Sequence, residues 1–429
     1  MNYYSTKNKN TSRTFRDAVL NGIADDGGLY LPEEFPHLSQ DFIDNVSSKS
    51  MLEIAYEVSR NFIDDIPDAD LLKILQKTLT FDAPLVSLSD KRHILELFHG
   101  PTLAFKDFGA RFLANIMSWY NKDENKELII LVATSGDTGS AVAQGFYGIE
   151  GIKVGLLYPS GMVSEIQEKQ LTTIGGNVQA FEVQGTFDDC QALVKQAFAD
   201  ADLKDKFTLS SANSINIARL LPQSFYYFRA YGQLQNPSPN LRICVPSGNF
   251  GNLTAGLMAR AMGLPVDKFI AAVNANRSFP DYLQSGEFTA RKAVATLSNA
   301  MDVGNPSNFD RIYTMFNGDR KAISQVIESV SVTDDETIGV IKEVYEKYQY
   351  IIDPHGAVGY KAAEELAPDT ETVIFETAHP AKFLDTVKNA LNIDVEIPRR
   401  LAEQLHKKKS AMQIAKDFEA FKDAVFDVF

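Results

Sequence analysis

The chain has little cysteine: Cys190 and Cys244 are the only two in 429 residues. A disulfide framework is therefore excluded, and two thiols alone do not build a structural zinc site. The six histidines (His37, His93, His99, His355, His379 and His406) show no HExxH-type spacing, so no metal is expected. Long apolar runs are missing as well. The clean run at residues 128–133 falls far short of the roughly 18 residues a bilayer span requires. The start, Met1-Asn-Tyr-Tyr-Ser-Thr-Lys7, has no apolar signal core. A soluble, cytoplasmic protein is the expectation, with no membrane partner. Positive charge is short: 42 Lys+Arg stand against 56 Asp+Glu, a formal net charge of −14. That argues against nucleic acid as a partner, because a phosphate backbone needs a basic face. A small anionic ligand remains compatible, since helix termini and single cations act locally.

No period repeats and no Ser/Gly/Pro-rich linker divides the chain, so a solenoid is excluded and discontinuous domains are favoured. The length exceeds one ordinary core and implies two domains or one large sheet with extensions. From about residue 126 the pattern alternates between strands and helices. Apolar runs at 128–133, 153–157, 178–183, 241–245, 269–273 and 372–375 read as strands. Amphipathic stretches at 140–147, 164–173, 187–198 and 252–262 read as helices. This rhythm predicts an α/β fold of mostly parallel, doubly wound sheets. Residues 1–90 read as a helical N-terminal extension that packs on the catalytic body. Residues 91–125 and 225–429 are assigned to a large domain, and 126–224 to a small one.

Four motifs carry chemistry. The segment His99-Gly-Pro-Thr-Leu-Ala-Phe-Lys106-Asp-Phe places a lysine at the opening of a helix among phenylalanines. Partial desolvation of that kind suits an amine that must be neutral to form a Schiff base. Thr134-Ser-Gly-Asp-Thr-Gly139 follows a buried strand and precedes a helix, the carboxyl edge where α/β sheets bind ligands. Thr134, Ser135 and Thr138 are candidates for a substrate carboxylate. Asp137 would repel an anion if it pointed inward and is expected to cap the local turn. Pro246-Ser-Gly-Asn-Phe-Gly-Asn252 is neither a Walker A loop nor GxGxxG. Its glycines, Gly248 and Gly251, would expose amides to a cofactor phosphate. Last, Glu376-Thr-Ala-His-Pro-Ala-Lys382 follows a strand, and a Thr377 hydroxyl there could meet a pyridine nitrogen. His379 reads as a structural histidine. Taken alone, each motif also fits an ordinary turn, cap or amphipathic helix start; together they point to pyridoxal phosphate.

These motifs, with the opening from Tyr3 to Pro32 and the segment Asn213-Ser-Ile-Asn216, resemble the threonine synthase family of pyridoxal-phosphate enzymes, fold type II. The length and N-terminal extension resemble its bacterial and fungal branch. The resemblance implies Lys106 as the Schiff-base lysine and Gly248, Asn249, Phe250, Gly251 and Asn252 as the cofactor phosphate loop. It further implies Thr377 at the pyridine nitrogen and Thr134, Ser135 and Thr138 at the substrate. The implied reaction takes O-phospho-L-homoserine and water to L-threonine and phosphate. For the substrate phosphate, Lys169, Arg219, Ser160 and Asn308 stand unranked. The family's early Ser-Thr-Arg-Gly pattern reads Ser5-Thr-Lys-Asn8 here, which keeps the charge but loses the guanidinium fork. A serine or threonine dehydratase of the same fold type is the nearest alternative, and a noncatalytic binder of a phosphorylated metabolite the next. Monomer and homodimer are both open.

Overall fold

The computed structural model describes residues 1–122, 126–134 and 136–429. The chain opens with three antiparallel strands, β1 (Tyr3–Ser5), β2 (Asn8–Arg13) and β3 (Tyr30–Pro32), ordered β2-β1-β3. The extension expected to be helical thus carries a small sheet beside helices such as Met51–Ser59 and Asp68–Thr78. The sheet escaped the pattern because β2, Asn-Lys-Asn-Thr-Ser-Arg, is polar throughout and lacks apolar alternation. The altered corner is nonetheless tied down. The Ser5 hydroxyl donates to Asp26 Oδ1 at 2.7 Å and Lys7 Nζ to the Asp26 carbonyl at 3.3 Å. The extension packs on the body through buried bonds: the Asn216 side-chain amide donates to the Val19 carbonyl at 2.8 Å, and Arg311 Nε to the Tyr30 carbonyl at 3.0 Å.

A hairpin follows, β4 (Leu85–Ser89) with β5 (Arg92–Glu96). The chain then leaves to build β6 (Leu128–Ala133), β7 (Ile152–Pro159), β8 (Val178–Gln184) and β9 (Thr208–Ser210). It returns for β10 (Arg242–Pro246), β11 (Lys268–Val273), β12 (Ile327–Ser331) and β13 (Thr372–Glu376), and closes with β14 (Met412–Ala415). Two open sheets result, a six-stranded β12-β11-β10-β13-β5-β4 and a five-stranded β14-β8-β7-β6-β9. Every pairing in the smaller sheet is parallel; in the larger, only β4 runs antiparallel. Leu-Ile-Ile-Leu-Val of β6 is buried without alternation because helices cover both faces.

One boundary differs from the sequence reading, which placed all of 225–429 with the large sheet. β14 instead adds to the edge of the small sheet, with Ile414 opposite Val183. The helix Phe418–Val428 seals that edge, with Phe421 edge-on to Phe181 at 5.5 Å between centroids. A four-residue strand among lysines carries too short a pattern to be read. The carboxyl ends of β6, β10 and β13 deliver the three loops in question.

Candidate active site

Lys106 is placed by the end of β13. Ala104 bridges Ala378, the Phe105 N–H donates to the Thr377 carbonyl at 2.9 Å, and the His379 N–H donates to the Leu103 carbonyl at 3.0 Å. Lys106 then opens the helix Lys106–Asn121, whose Phe108 and Phe112 are fully buried. Its Nζ lies 5.3 Å from the Phe105 ring centre. Burial pushes the Lys106 ammonium below the usual lysine range, against the pull of Asp137. That is the direction a Schiff-base lysine requires.

Asp137 departs from the expected role. Among the described residues its side chain accepts no backbone N–H at the start of its helix, Asp137–Phe146. Its carboxylate is instead an ion-pair centre, 2.6 Å from Lys382 Nζ and 3.6 Å from Lys106 Nζ. Burial would raise this carboxyl, but the Lys382 and Lys106 ammoniums outweigh it and hold it well below the usual range. Asp107, next to Lys106, is pushed up to about 6 by burial, although the Thr102 N–H and hydroxyl donate to its two oxygens at 2.8 and 2.7 Å. Sequence reasoning assigned no role to Lys382 or Asp107; the partners of Lys382 come from distant segments, while Asp107 is held by Thr102 of its own segment.

The loop after β10 fits a phosphate. Phe250 adopts the left-handed conformation (φ 58°) at the start of the helix Gly251–Ala261. Among the described residues, the N–H groups of Gly248, Asn249, Phe250, Gly251 and Asn252 donate to no protein acceptor. A Cβ on Gly248 would stand 2.7 Å from Met301 Cα, so only glycine lets the loop lie this close. Asn252 is buried; its Oδ1 accepts from the Tyr226 and Tyr227 hydroxyls at 2.8 and 2.9 Å, while its Nδ2 is an orphaned donor. Free amides plus one unpartnered side-chain donor are the donor set of a phosphate cradle. Asn249 steadies the loop, donating to the Ser214 hydroxyl at 2.8 Å and accepting from the Ser307 N–H at 2.6 Å.

Thr377 is buried at the end of β13, and its hydroxyl meets no protein partner among the described residues. Behind it, Glu376 is fully buried and pushed well above the carboxylate range by burial and the neighbouring Asp353. His379 is a local brace: its Nδ1 accepts from the Ala381 N–H at 3.1 Å, and burial lowers it to about 4. In the loop after β6, the Thr134 hydroxyl accepts from the Gly136 and Gly139 N–H groups at 3.1 and 2.9 Å, so it braces the loop. Thr138 is half-buried at the helix start. Ser135 lies outside the described residues. Of the phosphate candidates, Ser160 donates to Glu182, Lys169 to the Lys407 carbonyl, and Asn308 to the Asn249 carbonyl. Arg219 alone keeps a buried Nε without an acceptor; burial lowers its guanidinium to about 10.

Comparison with known proteins agrees along the chain. Residues 2–79 match the family model described as threonine synthase N terminus, 84–378 that of pyridoxal-phosphate dependent enzymes, and 356–425 that of threonine synthase, C-terminal. The threonine synthase of Haemophilus influenzae is 44% identical over 404 residues, 94% of each chain. The crystal structure of threonine synthase from Escherichia coli superposes with a TM-score of 0.91 at 41% identity, covering 100% of both chains. The PLP-bound threonine synthase from Brucella melitensis superposes with a TM-score of 0.95 at 36% identity, covering 100% of this chain and 99% of that one.

Proposed function

Because the chain belongs to the threonine synthase family of pyridoxal-phosphate-dependent enzymes, we propose that it converts O-phospho-L-homoserine and water into L-threonine and inorganic phosphate. The observation that carries the reading is Lys106, desolvated at the head of its helix between the Asp137 loop and the end of β13.

Lys106 would attach the cofactor, the 248–252 loop would hold its phosphate, and Thr377 would meet its ring nitrogen. Pyridoxal phosphate, when bound, supplies an electron sink for negative charge developing at the substrate α-carbon. A hydroxyl at the ring nitrogen, unlike a carboxylate, keeps that sink moderate. The Lys106 amine would be the base and acid that moves protons at the α- and β-carbons of the substrate. Ser135 and Thr138 are the candidates for orienting the substrate carboxylate, while Thr134, whose hydroxyl is engaged with Gly136 and Gly139, shapes the loop that carries them. Arg219, with its unused buried donor, is the phosphate candidate most free to serve. The cleft between the two sheets excludes stray water while the phosphate leaves and one water adds at the β-carbon. A cytoplasmic location belongs to the same reading; among the described residues no helix is long and apolar enough to cross a membrane.

The test is product analysis of cofactor-loaded protein with O-phospho-L-homoserine. Threonine and phosphate in equal amounts are expected, and Lys106→Ala is expected to lose both turnover and the covalent cofactor band. 2-Oxobutyrate with ammonia in place of threonine would mean a dehydratase.

A further inference from the structure

Lys382 follows Thr377 by five residues, in the turn Pro380–Lys382 beyond β13. Its side chain is 0% exposed, and its ammonium has two acceptors: Asp137 Oδ1 at 2.6 Å and the Thr102 carbonyl at 3.0 Å. The other Asp137 oxygen stands 3.6 Å from Lys106 Nζ. One carboxylate therefore faces two buried amines at unequal distances. A buried ammonium persists where a close counter-charge and further acceptors replace its water, and one carboxylate neutralises one of two. Lys382 holds the shorter contact and the second acceptor. Lys106 has the longer contact and the face of Phe105.

The remaining charges around Lys106 do not alter that ranking. Arg219, from the helix Ile217–Leu220 packed on the Lys106 helix, adds positive charge. Both oxygens of Asp107 are engaged by Thr102. His355, paired with Asp353, faces Asp137 from the helix Pro354–Leu366.

We propose that Lys382 is a positioning residue: it claims the Asp137 carboxylate and so leaves Lys106 as the amine that gives up its proton. The proposal rests on Lys106 being the attachment lysine. Attachment requires the free base: a carbon–nitrogen double bond forms to the cofactor's aldehyde carbon, and the aldehyde oxygen leaves as water with both amine hydrogens. The ammonium proton passes to solvent beforehand. Without Lys382, Asp137 would serve Lys106 alone and hold that proton on.

The experiment follows pyridoxal phosphate uptake by apoprotein against pH, read as the absorbance of attached cofactor. Acetylation of Lys106 in apoprotein, read by peptide mass spectrometry across the same pH range, is the cofactor-free readout. Lys382→Met is expected to raise both midpoints by at least about one pH unit. Lys382→Arg, which keeps the charge, should restore the parental midpoint, and Asp137→Asn should lower it. If the Met variant does not fold, Asp137→Asn carries the test. A midpoint unmoved in Lys382→Met, or in Asp137→Asn where the Met variant does not fold, would overturn the proposal. Borohydride reduction of the loaded parent followed by peptide mapping tests the underlying assignment separately. Cofactor found on Lys106 with an unmoved midpoint overturns only the role of Lys382; cofactor found on Lys382 overturns both.

Discussion

Glu376 shows how burial rewrites one residue's chemistry. Its Oε1 accepts the Asp353 N–H at 2.6 Å, while its Oε2 has no partner and would meet a Cβ added to Gly356 at 1.7 Å. Burial, with Asp353 beside it, raises this carboxyl well above the usual carboxylate range, so it keeps its proton in the folded state. The unfolded chain ionises the same group near 4.3. Above that pH the unfolded state binds fewer protons, so the group's contribution is full below about pH 4 and lost as pH rises toward its folded pKa. Glu376→Gln removes the dependence. The variant should match the parent in melting temperature near pH 4 and gain on it steadily toward pH 8, as scanning calorimetry would show. Parallel curves for the two proteins would mean that Glu376 is ionised when folded. In the sequence Glu376 was only a residue at a strand end. Its neighbour Asp353 is 23 residues away, and no local pattern couples them.

Elements were read with unequal success, and the misses have causes. The strand at 128–133 appears as β6 over the same residues, because an unbroken apolar run buried on both faces leaves no other solution. The helix expected from 140 begins at Asp137. Threonine and glycine at 138 and 139 are weak helix formers and hide its first turn. Gly139 is needed there for another reason: a Cβ would stand 2.7 Å from Thr134 Oγ1, which braces the loop. The loop after β10, proposed to hold the cofactor phosphate, depends on the same kind of close approach. Gly248→Ala would push its Cβ against Met301 Cα at 2.7 Å and the Ala300 carbonyl at 3.1 Å, both backbone atoms that yield little. Overpacking of this kind costs about 1–3 kcal/mol. If the loop takes that strain, pyridoxal phosphate should bind apoprotein roughly tenfold or more weakly. Fluorescence titration measures it, and unchanged affinity would remove the 248–252 loop from the cofactor site.

Across the whole molecule, the Asp137–Lys382 and Lys106–Asp137 contacts link the segment that follows β6, in one sheet, to those that follow β13 and β5, in the other, while the chain's end is committed to the small sheet. Phe421 packs fully buried against Phe181 of β8, and Lys409 bridges Glu168 and Glu182 at 2.7 and 2.8 Å. The C-terminal segment is therefore part of the core of the small sheet. Phe421→Ala should destabilise it by about 3–5 kcal/mol. Because stability is distributed by region, hydrogen exchange should accelerate in β8 and β14 well before β10 and β13. Uniform acceleration across both sheets would show that they unfold as one unit.

The sequence by itself determined the parallel α/β architecture, the two glycine loops and the lysine at a helix start. Each is written within a few neighbouring residues as an apolar run, a glycine where backbone must approach closely, or phenylalanines flanking an amine. Only the tertiary structure decided that Asp137 pairs with Lys382 rather than capping its turn, that Thr134 braces its loop, and that β14 completes the small sheet. Ion pairing and proton affinity depend on distance and on the low dielectric made by burial. Both are set when segments far apart in the chain fold together.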